Sequence, residues 1–494
     1  MLPLLLALLT ACGPAPEVPA APAAPLAGGP VSGPPDLVLV LAAGLRADPP
    51  GERAAEAAFL APFDGSLSLV ATAAYAQSTE PFASLGSLLT GRYPSAVPLC
   101  GSTRADPAST RAEAWCYGLP DGVPTLPGVL SLYGYRTALL HHLGPIPGLE
   151  EAFDLAADLD PDDGTTRWRK LAAAAQIWWE AAPGPRLLVL ELPDLDLSQR
   201  DAIADELGLP EPPSERGRLT PDLDQPPPRR PPCAPLQGIE GEEDGTWDAF
   251  NGEVPDLAAT RARALGAYRA EAAALGERVQ ALLQALPEDR ARVTVLAGLY
   301  GLSLGETGGT DPDITRFFWT DRLTDRTLRV PLAVVGPGPG RALDQPVELL
   351  DLAPTLLALG GAVPPHGLAG QDLLAAGFVE NPAALAYAER GDMLALRQGD
   401  RLLTLRAVVH HMPSLDPYLT EILACPGLAG GLRLHDVRAD PAQELDLVRA
   451  HPQEALAMKQ VMMAVRTGPG APPSALYEGD RLLQLRLTQA EGYW

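Results

Sequence analysis

Three short runs of apolar residues interrupt an otherwise mixed sequence, at 37–41, 187–192 and 293–297. Runs of this length suit strands covered on both faces, as in parallel sheets. Helical patterns lie between them. Residues 83–90 make an apolar turn ending at Gly91, and residues 257–285 read as one long Ala/Leu/Arg helix. Residues 125–133 lead into Gly134-Tyr135-Arg136-Thr137-Ala138, a helix end followed by a strand. Strands alternating with helices predict an α/β fold with a largely parallel sheet. Residues 197–256 break the rhythm with Asp224-Gln225-Pro226-Pro227-Pro228 and an acidic patch at 240–244, and read as a surface insertion. Past about residue 380 the texture changes. Strand-like segments at 393–397, 401–406 and 431–436 precede a helix at 448–465. The expected division is an α/β domain over 36–378 and a small α+β domain over 379–494.

Composition narrows the function classes. The chain has 494 residues, 46% hydrophobic and 20% charged, enough for a sizeable core. Lys+Arg number 37 against 62 Asp+Glu, a net charge of −25 that repels phosphate backbones, so no nucleic-acid partner is expected.

The first residues have a pattern of their own. The apolar run at 2–9 is shorter than the ~20 residues a membrane span needs and suits the core of a signal peptide. Leu9-Thr10-Ala11-Cys12 resembles the bacterial lipobox, whose Cys becomes the lipidated first residue of the mature protein. Residues 1–12 then form the signal, and the Pro/Ala/Gly-rich stretch 13–35, with Glu17 as its single charge, a tether. The expectation is an exported lipoprotein of a bacterial cell envelope, held to the lipid bilayer through Cys12. Cys100, Cys116, Cys233 and Cys425 remain. An oxidising compartment admits disulfides, and four cysteines allow three pairings. Cys100 with Cys116, flanking a polar loop, is the favoured pair. None of the spacings suits zinc.

Several segments, in order, resemble the sulfatase family of the alkaline-phosphatase superfamily. Residues 36–48, DLVLVLAAGLRAD, are similar to its first strand and "DxLRAD"-like exit. Ser87-Leu88-Leu89-Thr90-Gly91-Arg92-Tyr93-Pro94 is similar to the helix after the nucleophile. "VPTL" and "GYRT" within 119–137, the "YxxE" of Tyr268 to Glu271, and TVLAGLYGLSLGETG over 294–308 follow. Then come "RVPL" at 329–332, Gly336-Pro337-Gly338, "DLAPT" at 351–355, and Leu434-His435-Asp436-Val437 with Asp440-Pro441.

The resemblance implies sulfate-ester hydrolysis with one divalent cation and a formylglycine made from Cys or Ser; some relatives use Thr and phosphorylated substrates. The implied cation ligands fall on Ala43, Gly44, Leu299 and Tyr300. Ala, Gly and Leu offer no side-chain oxygen, and a neutral phenol is a poor ligand for a hard cation. The loop's second His is Thr307. Ungapped counting from Ser87 puts Pro81 at the nucleophile. A two-residue shift brings Thr79-Glu80-Pro81 onto "TxP", with Phe82 and Ala83 in place of Ser and Arg. Residues 78–84 also read as a helix N-cap region, the preferred reading.

Other polar positions survive. Arg46 and Asp48 suit an ion pair holding the strand exit. His142, beside His141, falls on a family His and reads as a strand-end surface residue. Adjacent histidines on an extended segment face opposite sides, so they make no two-His clamp. Asp194 and Asp196 follow a central strand, where α/β folds bind ligands, and also suit turn capping. Glu306 reads as a surface residue. The leading expectation is a catalytically inactive homologue without a metal cofactor, with a binding or scaffolding role in the envelope. The alternative is an active sulfate or phosphate ester hydrolase with Ca²⁺ or Mg²⁺, whose site is rebuilt from Thr79, His142, Asp194 or Asp196. A third expectation is a purely structural lipoprotein.

Overall fold

A computed structural model describes residues 33–48, 54–97, 119, 122–143, 146, 148–159, 164–193, 195, 257–304, 323–337, 340–376, 378–381, 383–390, 393–406 and 432–466. The insertion 197–256, Cys12, all four remaining cysteines, Asp194, Asp196, Glu306 and Thr307 lie outside these residues.

The first apolar run becomes β1, Asp36–Gly44, with all nine residues buried. It pairs in parallel with β5, Arg186–Leu192, on one side and with β6, Arg292–Gly301, on the other. Being central and covered on both faces explains why its sequence carries no alternation. Beyond β5 lie β3, Arg136–His141, and β4, Leu155–Asp158, both parallel. Beyond β6 lie β7, Arg329–Val335, and β2, Leu67–Tyr75, with β8, Arg341–Leu343, and the two-residue β9, Val347–Glu348. Only β7 runs against its neighbours, so the nine-stranded sheet, ordered β4-β3-β5-β1-β6-β7-β2-β8 with β9 on β2, is mostly parallel.

Helices flank this sheet: α1, Ala54–Leu60; α2, Pro81–Thr90; α3, Leu126–Leu132; α4, Gly164–Ala181; α5, Leu257–Ala285; and α6, Leu352–Leu359. The long helix α5 has the bounds its Ala/Leu/Arg pattern predicts. Helix α2 stops at Gly91, whose φ of 63° is the left-handed turn a glycine makes without strain. Apolar residues of the strands and helices form one continuous core, with Trp179 and Tyr268 among its largest buried side chains.

A second, antiparallel sheet carries β10, Leu385–Arg390; β11, Met393–Gln398; β12, Arg401–Arg406; and β13, Arg433–Asp436. Helix α7, Pro452–Arg466, packs on it through Ala455, Met458 and Met462. The helix expected from 448 starts four residues later. Pro452 suits a first helical position, where its missing N–H costs nothing, and 447–451 turn instead, with Leu447 N donating to Leu434 O. The strand expected from 431 begins at Arg433. The end of the expected tether is also held. Tyr135 Oη donates to Pro35 O at 2.8 Å, and Arg290 Nη2 to Pro34 O at 3.1 Å.

Candidate functional site

The parallel register sets Ala43 against Tyr300 and Gly44 against Gly301, after a shift between Ala42 and Ala43. The four positions implied as cation ligands thus meet at the carboxyl ends of β1 and β6, and all are buried. Two main-chain oxygens there are already engaged. Tyr268 Oη, from α5, donates to Gly44 O at 2.7 Å and accepts from Arg46 N at 2.9 Å. Ser84 Oγ, from α2, donates to Leu299 O at 2.7 Å.

Behind this rim lies a buried cluster of ion pairs. Arg46 is fully buried, and its Nη1 donates to Leu302 O at 3.0 Å. The expected ion pair is present, with Arg46 Nε 2.8 Å from Asp48 Oδ1. Arg326 Nη1 approaches the same oxygen at 3.2 Å. Two guanidiniums thus share one carboxylate where each ion is out of water. Gly301 makes room for it: a Cβ there would stand 2.7 Å from Arg46 Cβ and 2.3 Å from Arg326 O.

Thr79 lies buried just before α2, where Arg390 Nη1 donates to its Oγ1 at 2.8 Å. Capping differs from the expectation. The N-cap is Glu80, without a side-chain cap bond, and Ser78 Oγ accepts from Glu80 N at 3.1 Å. Pro81 occupies the first turn and has no N–H to satisfy, so the demand for a hydroxyl cap is smaller.

His142 corrects another expectation: its side chain is 1% exposed, not a surface group. The β3–β5 ladder ends at Leu140 against Leu190, and the Glu191 carboxylate continues it, accepting from His142 N at 2.9 Å. That bond turns the ring inward, with Nδ1 3.8 Å from Glu191 Oε2. Neither ring nitrogen of His142, nor Glu191 Oε1, has a hydrogen-bond partner among the described residues. His141 addresses a different carboxylate, its Nε2 3.6 Å from Glu150 Oε1, as alternation on an extended segment requires. Burial pushes the His141 pKa down, against the opposing pull of the Asp158, Glu150 and Glu191 carboxylates. Sequence reasoning passed over Glu191, although it is the one acidic residue in the apolar run at 187–192. Glu150 carried no comparable signal.

No protein-family model matches the chain, and no curated protein matches its sequence. Solved structures do match. A protein from Bacteroides thetaiotaomicron designated a sulfatase is 17% identical with a TM-score of 0.60, over 88% of this chain and 92% of its own. A 2-O GAG sulfatase is 17% identical at a TM-score of 0.55, over 93% of each chain. The fold is that of the sulfatases. It extends to a phosphonate monoester hydrolase from Silicibacter pomeroyi, 14% identical at a TM-score of 0.55, over 89% of this chain and 97% of that one.

The sulfatase resemblance implies a cation at the β1–β6 rim, and the described residues there do not fit one. A Ca²⁺ or Mg²⁺ site needs ~6 oxygen ligands, several of them anionic. Here the side chains are those of Ala43, Gly44, Leu299 and Tyr300, and the Gly44 and Leu299 carbonyls accept hydroxyl protons instead. Among the described residues no three His, Cys, Asp or Glu side chains group to hold a metal ion.

Proposed function

We propose that this sulfatase-fold protein is a catalytically inactive homologue with a binding or scaffolding role in a bacterial cell envelope, anchored to the bilayer through a lipidated Cys12. The observation that carries the first part is the apolar rim. Ala43, Gly44, Leu299 and Tyr300 stand together where a cage of anionic oxygens would be needed. Without a divalent cation there is no Lewis acid to polarise a sulfate ester or to offset its developing charge. The Arg46–Asp48–Arg326 cluster is buried behind the rim, with guanidinium contacts to Asp48 and Leu302 O. A chain of net charge −25 further opposes an anionic ester. The anchoring rests on the lipobox-like LTAC and the Pro/Ala-rich stretch behind it.

One observation favours the alternative of an active ester hydrolase. Arg390 donates to Thr79 Oγ1, and a guanidinium so placed favours an alkoxide. The two readings separate by elemental analysis of purified protein beside aryl sulfate and aryl phosphate assays. We expect no stoichiometric divalent metal and no turnover. Bound metal with turnover abolished by Thr79→Ala, Asp194→Asn or Asp196→Asn would refute the inactive reading. Cys12→Ser is expected to release the protein from membranes, and continued retention would count against the anchor.

A further inference from the structure

The pole of the sheet opposite the rim carries an exposed apolar patch. Leu132 is 85% exposed, Val363 73% and Tyr133 44%. They come from two separate elements, the end of α3 and the loop after α6, and are tied together where Val363 N donates to Tyr133 Oη at 3.1 Å. Scattered apolar residues on a surface need no explanation, but a joined patch does. Its surroundings are also unusual for so acidic a chain. No Asp, Glu, Lys or Arg occurs in residues 122–135 or 352–371. The bordering Arg136 is 53% exposed and pairs with Asp154 at 3.5 Å. Anionic lipid would repel a body of charge −25, and these two segments add nothing to that repulsion.

The chain toward Cys12 leaves at this same place. Tyr135, three residues beyond Leu132, holds Pro35 O through its hydroxyl, directly before β1. From that point the sequence runs back to Cys12 through Pro- and Ala-rich residues, a composition whose reach at ~3.1 Å per residue is on the order of 70 Å. A lipid on Cys12 would therefore keep the patch within reach of the membrane surface, where even a weak apolar contact is amplified by tethering. A Tyr beside Leu and Val is the composition that settles at a lipid–water boundary. We infer that Leu132, Tyr133 and Val363 form a docking face for the lipid bilayer, so that the N-terminal edge of the sheet faces the membrane. This rests on the Cys12 anchor proposed above. β1 runs from that edge to the Ala43–Gly44 rim, ~25–30 Å at a strand's rise per residue, so the rim is presented away from the bilayer.

The test is hydroxyl-radical footprinting of the full chain, recovered from membranes and placed on vesicles of phosphatidylethanolamine and phosphatidylglycerol. The mass of its N-terminal peptide reads lipidation separately. Oxidation of Leu132, Tyr133 and Val363 is expected to slow severalfold on vesicles. That of Val379 and Leu445, 82% and 62% exposed and outside the patch, should not change. A lipidated chain without this protection overturns docking and leaves the anchor standing. An unlipidated chain with protection does the reverse, and one with neither overturns both. Protection that persists without vesicles and grows with protein concentration means a second copy covers the patch, and overturns the inference. The exposed double variant Leu132→Asp/Val363→Asp should lose protection at Tyr133 while floating with vesicles as before. Unchanged protection in that variant would also sink the docking face.

Discussion

Burial decides the chemistry of individual carboxylates in this chain. Glu348 and Asp351 are buried side by side between β9 and α6, with Glu348 N donating to Asp351 Oδ2 at 2.8 Å. Loss of water pushes Glu348 up to about 8, helped by the neighbouring Asp351 charge and opposed by donors from Tyr387 N, Tyr93 Oη and Gln77 Nε2. Asp351 rises to about 7 by burial, partly offset by Glu348 N and Gln371 N. Folded-state values above the unfolded ones mean that the native state holds extra protons. Stability from these groups is therefore full below the ordinary carboxylate range and is lost as pH rises through about 7 to 8. Urea unfolding should show stability falling between pH 5.5 and 9, by on the order of 1 kcal/mol per pH unit. Glu348→Gln, which keeps the acceptor for Tyr387 N, should flatten the slope. An unchanged slope in that variant would refute the assignment. None of this was legible, because a Glu in sequence defaults to the surface. The Arg46–Asp48 pair was legible, since two opposite charges in an apolar strand exit have few other ways to be buried. The inward turn of His142 was not, because it depends on Glu191 in another strand.

At the scale of elements, the rim is tight because glycines allow it. Gly298 lies in β6 where a Cβ would stand 2.1 Å from Leu45 O and 3.0 Å from Val330 Cβ. Alanine ordinarily stabilises a strand interior over glycine by about 0.5–1 kcal/mol. Overpacking against a main-chain oxygen costs about 1–3 kcal/mol or more, so the clash wins. Gly298→Ala should lower the urea midpoint, whereas a rise would mean that β1 and β6 can part at the rim. The apolar runs foretold β1 and β6 but not their full lengths. The added residues Ala43, Gly44, Tyr300 and Gly301 join through mutual pairing, which is non-local. β2 was missed altogether. Its sequence LSLVATAAY mixes small and polar residues, because its first half is only partly covered. α5, by contrast, depends on a local pattern and was read to its ends.

For the whole molecule, the order of short motifs along the chain was enough to expect the sulfatase fold, while the joint between the two sheets was invisible in it. That joint is polar and buried. Asp325 Oδ1 accepts from Tyr75 Oη at 3.0 Å and from Arg397 Nε at 3.2 Å, while Asp325 N donates to Gln443 Oε1 at 2.9 Å. Tyr75 belongs to β2 and Arg397 to β11, so one carboxylate ties both sheets. Ala73, Tyr75, Leu323 and Leu328 pack around it against Ala386, Ala388, Ala395, Leu402 and Val437. Tyr93 meets Tyr387 edge to face at 5.1 Å, and Glu389 N donates to Gln77 O at 2.8 Å. A small sheet with so much of one face committed elsewhere has little reason to fold alone. Calorimetry should therefore show the two sheets melting in one transition, with equal calorimetric and van't Hoff enthalpies. Arg397→Met keeps the volume but strips Asp325 of a buried partner, a change worth about 3–5 kcal/mol when an ion pair is out of water. Hydrogen exchange in β10–β13 of this variant should quicken far more than in β1, β5 and β6. Uniform quickening across both sheets would show that the Asp325 cluster supports the molecule as a whole rather than the joint.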